Sequence, residues 1–427
     1  MKKLCSWLLS LALVSGLVIP MGINKVSAEE DQELSVWCWD PAYNLYAMQE
    51  AEKIYQEEHP NFKLKMEEVP WNDLQQKFNT AALAGDIDSL PDIFLMQDNA
   101  FQKNVQSFPD VFYDLSESGI KFDEFAKGKL NYSVVDGKNY GVPFDNGTVM
   151  TALRTDYLEE AGLKVEDFTD ITWSDFIEKG KIIKEKTGHP ALTMTSDPDL
   201  LMLMLQSAGA SLFDEEGKPQ LVGNDVLKKV IEINIDMITN GVMEVVNDWD
   251  QYVGSITTGH TATVINGCWI LASIQTSKDQ SGKWMITNIP KLDTESATNY
   301  SNNGGSSWAV TKGTGHEELA SDFLAKTFAS STKLYETILP SSAAMATWLP
   351  MKDSKVYAEP QEFFQNQAIY QLLTEYASKA PSNNTGKFYY EARDAVSAAM
   401  QNTINGGDLD SELEVAQKQI EHLMQNS

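Results

Sequence analysis

Residues 35–60, SVWCWDPAYNLYAMQEAEKIYQEEHP, restrict the fold more than any other stretch of the chain. Val36 and Cys38 alternate with Trp37 and Trp39, so the two pairs take opposite faces of a pleated strand, in residue types that suit one. Asp40 followed by Pro41 reads as a helix N-cap with proline at the first helical position, where a missing N–H costs nothing. Beyond it Tyr43, Tyr46, Ala47, Ala51, Ile54 and Tyr55 recur at three- and four-residue spacing, one apolar stripe of an amphipathic helix that His59-Pro60 ends. Phe62, Leu64 and Met66 alternate again. Residues 35–69 therefore predict a βαβ unit of a mostly parallel sheet covered by helices, the α/β class. Ligands of such sheets settle beyond the carboxyl ends of the strands, where Trp39, Asp40, Tyr43 and Asn44 lie.

The N-terminus narrows the setting. Met1, Lys2 and Lys3 precede an apolar run from Leu4 to Ile19, and Val26-Ser27-Ala28 supplies small residues at −3 and −1, the order of a secretory signal peptide cut after Ala28. The alternative, an uncleaved anchor, is disfavoured because the run falls short of the ~20 residues that a spanning helix needs. Residues 1–28 hold three lysines and no acid, so the mature chain is more negative by three than the −28 of the full sequence. That field argues against nucleic acid and anionic membrane as partners. Cys38 and Cys268 survive cleavage; a bridge is conceivable in an exported protein, but each lies in an apolar strand-like run beside a tryptophan, where a free thiol packs well.

A mature chain of about 400 residues exceeds what one core usually serves, so two lobes are expected. Pro91 to Met96 is a short buried strand delivering Gln97, Asp98 and Asn99 to the rim that holds Trp39. Tyr132–Val135 and Tyr140–Phe144 read as a hairpin about the turn 136–139. Ser174 is the expected N-cap of a helix over Trp173–Thr187, Leu200–Leu205 a buried helical segment, and Val226–Gly241 an amphipathic helix stopped by its glycine. Thr261–Ile265 is a strand that ends in Asn266-Gly267-Cys268-Trp269. Trp284–Ile289 reads as a strand returning to the first lobe. Further helices follow at 317–329, 363–376 and 413–424, and Phe388-Tyr389-Tyr390 precedes the helix that carries Arg393.

Several chemistries lack their residues. No GxxxxGK phosphate cradle or GxSxG elbow occurs, Gly313-Thr314-Gly315 lacks the third glycine of a dinucleotide turn, and His316-Glu317-Glu318 lacks the second histidine of a zinc helix. No metal or cofactor is expected. What stands out is a set of aromatics and amides at loop positions: Trp39, Trp71, Trp249, Trp269, Trp308, Trp348 and the 388–390 triplet. Pyranose rings stack their C–H faces on such rings and offer hydroxyls to Asp and Asn. Arg154 and Arg393 are the only arginines. An anion site would normally use a guanidinium fork, so a neutral cargo is favoured.

The chain resembles the bacterial extracellular solute-binding proteins of the maltose-binding-like group, the capture components of carbohydrate ABC importers. The likeness rests on VWCWD and AEKIYQEEHP, LPDIFLMQDN, YGVPFDNGTVMTALRTDYLEEAGL, TWSDF, INGCW, GGSSWAVTKGTGHEELASDFLAKTF and YYEARDAV, in this order. It implies two discontinuous lobes joined by hinge strands, with lobe 1 over 29–143 and 287–335 and lobe 2 over 144–286 and 336–427. It further implies Asp98 as a hydroxyl-binding carboxylate, Trp269 as a stacking platform and Trp39-Asp40 as the first-lobe wall. Asp145, Ser306 and Tyr389 fill further places, and Tyr43, Asn99, Trp249 and Trp348 complete the candidate set. Many relatives carry a lipid-anchoring cysteine after the signal, and this chain does not.

The expected function is capture of a neutral sugar or oligosaccharide by a monomeric exported protein, at the outer face of the cell membrane or in the periplasm, and its delivery to membrane permease subunits. Two alternatives stay open: a glycan hydrolase using two cleft carboxylates, and the same fold with another polar solute.

Overall fold

The computed structural model describes residues 32–214, 216–381 and 386–426. The expected leader at 1–28 lies outside them, and no helix among the described residues is long and apolar enough to cross a membrane. Twelve strands are named in chain order: β1 Gln32–Cys38, β2 Phe62–Glu68, β3 Ile93–Gln97, β4 Val134–Val135, β5 Lys138–Asn139, β6 Val142–Asp145, β7 Val149–Arg154, β8 Leu192–Thr195, β9 Met243–Val246, β10 Thr263–Gly267, β11 Trp284–Thr287 and β12 Ser306–Val310.

The βαβ unit forms as its pattern requires. Leu34, Val36 and Cys38 are buried while Trp37 and Trp39 are half-buried, and β1 pairs in parallel with β2, Val36 opposite Met66. Asp40 caps the following turn by accepting the N–H groups of Ala42 at 2.9 Å and Tyr43 at 3.1 Å. The first turn is wide, with the Leu45 N–H reaching back five residues to the Asp40 carbonyl at 3.0 Å. Buried Asn44 steadies this turn by accepting the N–H groups of Trp39 and Asp40, both at 3.0 Å. Wide turns of this kind recur at functional sites because they re-aim the residues that flank them.

Two five-stranded sheets result, in the orders β2-β1-β3-β12-β6 and β11-β7-β10-β8-β9. Each is mostly parallel with one reversed strand, β12 in the first and β7 in the second. This is the two-lobed α/β architecture. The chain leaves the first sheet after β6 and enters the second at β7; it comes back through residues 299–305 into β12. Trp39 and Asp98 follow the carboxyl ends of β1 and β3, and Trp269 lies two residues beyond that of β10.

Five local expectations are corrected. Trp284–Thr287 is not a returning strand, because it pairs antiparallel with β7 inside the second sheet. An apolar run specifies a strand, not its neighbour. Thr172, not Ser174, caps the Trp173–Thr187 helix, through a reciprocal pair with Asp175. The hairpin about Asp136-Gly137 is tighter than expected: both residues have positive φ, 50° and 77°, so Lys138 and Asn139 join its strand and β6 goes to the main sheet. Tyr389 and Tyr390 lie in the first turn of their helix, Tyr389–Ile404, and the helix before it begins only at Ile369. Cys38 and Cys268 are both buried and free.

Candidate functional site

A small polar recess opens between the lobes. Asn99 and Tyr132 line it from the first lobe, Met202, Gln206 and Tyr389 from the second, and Asn302, Asn303 and Gly304 from the returning segment. Burial drives the phenols of Tyr132, to about 12, and of Tyr389 upward, so both remain neutral hydroxyl donors. The Oδ1 of Asn302 is buried without a partner, an acceptor that a ligand hydroxyl would satisfy. A second small recess includes Met194, Met243 and Met400 among its lining and is mainly apolar, which suits packing better than a polyol.

Beside the polar recess stands a tryptophan pair. Trp269 follows β10 directly, and its indole N–H donates to the Asn303 carbonyl at 3.2 Å. A side chain at Gly267 would overlap that indole, so glycine two residues earlier leaves the ring its place. Trp249 opens the helix before β10, Trp249–Thr257, and is 40% exposed, with its ring 5.5 Å from Trp269. Across the gap, Trp39 meets Trp71 edge-on at 5.3 Å, Trp71 lies 6.4 Å from Tyr390, and Tyr390 lies 5.3 Å from Tyr389. Aromatic rings of both lobes thus form one chain of contacts, which ends at Tyr389 in the recess.

The other expected site residues have internal partners. Asp98 is buried in an ion pair with Lys129 and accepts the Ser307 hydroxyl at 3.0 Å. Burial outweighs the neighbouring ammonium and lifts the Asp98 carboxyl to about 6. Asp145 accepts both the N–H and the hydroxyl of Ser306, at 2.8 and 2.6 Å, tying together the two strands that lead into and out of the second lobe. Asp98, Asp145 and Ser306 therefore form a buried network across the strands that connect the two sheets, and none of them lines the recess. Tyr43 is core, packed 5.4 Å from Phe144. Trp348 is 6% exposed and donates to Glu124 at 3.0 Å, a wall of the fold rather than of the gap. Asp40 is committed on one oxygen to its cap.

Tyr132, Gln206, Asn302 and Asn303 were not among the residues expected from sequence. Only the Asn-rich stretch before Gly304-Gly305 hinted at them. Neither arginine offers an open guanidinium. Arg393 pairs with Asp199 at 2.8 Å and Arg154 with Asp156 at 2.7 Å, the latter under Tyr157 and Trp284.

Residues 50–356 match the sequence profile of the family described as bacterial extracellular solute-binding protein. The chain is 36% identical over 388 residues to a lactose-binding protein of Rhizobium radiobacter, covering 91% of this chain and 92% of that one. Among solved structures, the GacH receptor of Streptomyces glaucescens superposes with a TM-score of 0.79 at 16% identity, covering 93% of this chain and 99% of that one. An ABC transporter associated binding protein from B. animalis subsp. lactis, in complex with β-1,6-galactobiose, gives 0.77 at 20% identity, over 91% and 96%. At these identities the structural likeness speaks for the fold.

Proposed function

The chain belongs to the bacterial extracellular solute-binding proteins, and from that premise we propose that it captures an uncharged sugar of disaccharide size between its lobes for an ABC importer. The observation that carries this reading is the lining of the interlobe recess: amides and neutral phenols, with no free ammonium, guanidinium or carboxylate, beside a tryptophan pair of which Trp249 is exposed and Trp269 half-buried. Amides and phenols both donate and accept, which matches a ring of hydroxyls. The indole of Trp269 offers a flat face to the C–H side of a pyranose. The lactose-binding relative supports the disaccharide size class.

Binding without bond cleavage is part of the reading. The buried carboxylates beside the gap, Asp98 and Asp145, are engaged by Lys129, Ser306 and Ser307, so neither stands ready as an acid or a nucleophile. Sugar contacts made by both lobes at once select the closed form, and the closed lobes then present one surface to a permease. We further propose export by the N-terminal leader and action as a monomer. A thermal-shift screen over neutral mono- and disaccharides tests the proposal, because a ligand of the folded state raises the melting point. A rise with lactose or a similar sugar, which is recovered intact afterwards, is expected. Shortened products would establish the hydrolase instead.

A further inference from the structure

The Tyr389–Ile404 helix belongs to the second lobe, where it packs on the Leu409–Gln425 and Asp225–Thr239 helices. Its first turn nevertheless grips the first lobe. The Tyr390 hydroxyl donates to Gln97 Oε1, at the end of β3, over 2.6 Å. The Tyr390 ring lies beside Trp71, the first residue of the Trp71–Ala84 helix, and joins the apolar cluster around Phe94 and Phe101. The next residue, Glu391, pairs with Lys103 on the helix that follows β3. On its own side the Tyr390 ring is held by the Arg393 guanidinium at 5.3 Å, which Asp199 anchors. One phenol thus sits between a cation of one lobe and an indole of the other. Tyr390 does not line the recess; its neighbour Tyr389 does.

We propose that Tyr390 is a positioning residue, a bolt that holds the two lobes together before any sugar arrives and so forms the recess in advance. In a two-lobed binder the apparent affinity is the intrinsic affinity scaled by the fraction of molecules in the competent form. A neutral hydrogen bond and an aromatic contact together shift a closed-to-open ratio by a factor of about ten. Tyr390, reinforced by Glu391 and Lys103, therefore sets how tightly sugar is held and how slowly it leaves without touching it. The sugar part of this inference rests on the proposed function; the bolt itself does not.

Spin labels at Leu83→Cys and Val415→Cys, exposed positions on the first- and second-lobe helices, measure lobe separation while the buried native cysteines stay unlabelled. In the sugar-free protein the distance distribution is expected to be dominated by the separation seen with lactose. Tyr390→Leu is expected to add a longer, broader population and to release lactose up to about tenfold faster. Tyr390→Phe keeps the ring and the fold but loses the hydroxyl, and should fall between the two. A sugar-free parent protein that is wholly open, or a Tyr390→Leu distribution identical to the parent's, would overturn the bolt. A distance shift without any lactose binding would leave the bolt standing and overturn the sugar assignment.

Discussion

The indole N–H of Trp269 is bonded to the main-chain carbonyl of Asn303, in the segment by which the chain returns to the first lobe. The ring we propose as a sugar platform is thus aimed by the backbone that connects the two lobes. Replacing Trp269 by alanine removes the stacking face and frees Asn303 from it. Lactose affinity is expected to fall by about ten- to a hundredfold, the cost of losing a central aromatic anchor, while Tm moves little because the ring is only half-buried. Trp269→Phe, with a ring but no N–H donor, should lie between. Calorimetric titration of the three proteins checks the order.

Asp98 gives the buried network a pH signature. Its carboxyl is held up, to about 6 from 3.8, by burial against the pull of Lys129. In the native state it keeps a proton that the unfolded chain has already released between those values. Stability from this group is fully present below about pH 4 and is lost as pH rises through 6, by about 3 kcal/mol. The Asp98→Asn variant lacks this titration. The difference in unfolding free energy between parent and variant, from denaturant curves at pH 4 to 7, should shrink in the parent's disfavour as pH increases. A pH-independent difference would contradict the assignment.

Trp348 belongs to the fold. Its ring is buried and its N–H is taken by Glu124, so Trp348→Ala leaves a cavity and an unpaired acceptor. A loss of about 3–5 kcal/mol is expected by denaturant unfolding. The sugar affinity of the fraction that remains folded should be unchanged, which separates a structural tryptophan from a ligand-contacting one.

Gly305 is where the returning chain meets the network. Its φ of +104° is open to glycine, and an added Cβ would lie 2.5 Å from Asp98 Oδ2 and 3.0 Å from the Asp145 carbonyl. Gly305→Ala therefore disturbs the Lys129–Asp98 pair and the crossing strands together. A drop of about 2 kcal/mol or more in stability is expected, whereas Gly304→Ala, also at positive φ but with open space around it, should cost about 1 kcal/mol. Denaturant midpoints of the two variants check the ranking.

What could be read from the residues alone follows from the range of the forces involved. The alternation in Ser35–Trp39, the Asp40-Pro41 cap and the stripe from Tyr43 to Tyr55 are local signals, and they place the first βαβ unit and the rim where Trp39 stands. Trp269 is legible for the same reason, as the exit of a short strand. Nothing local says that β11 pairs with β7, since an apolar strand carries no address for its partner. Asp98 looks like a site carboxylate until Lys129, on a different helix, is brought against it by tertiary packing. Trp348 and Tyr43 resemble site aromatics because burial is a property of the whole fold. Tyr132 and Gln206 carry no signal by themselves; they become a site by converging.

The central claim is that a neutral saccharide lies in the interlobe recess against Trp269. Isothermal titration of the mature protein with lactose and a panel of neutral disaccharides, repeated on Trp269→Ala, tests it most directly. One sugar bound per chain with clear heat, weakened at least tenfold in the variant, is the expected result. No heat with any neutral sugar, or equal affinity with and without the indole, would contradict it.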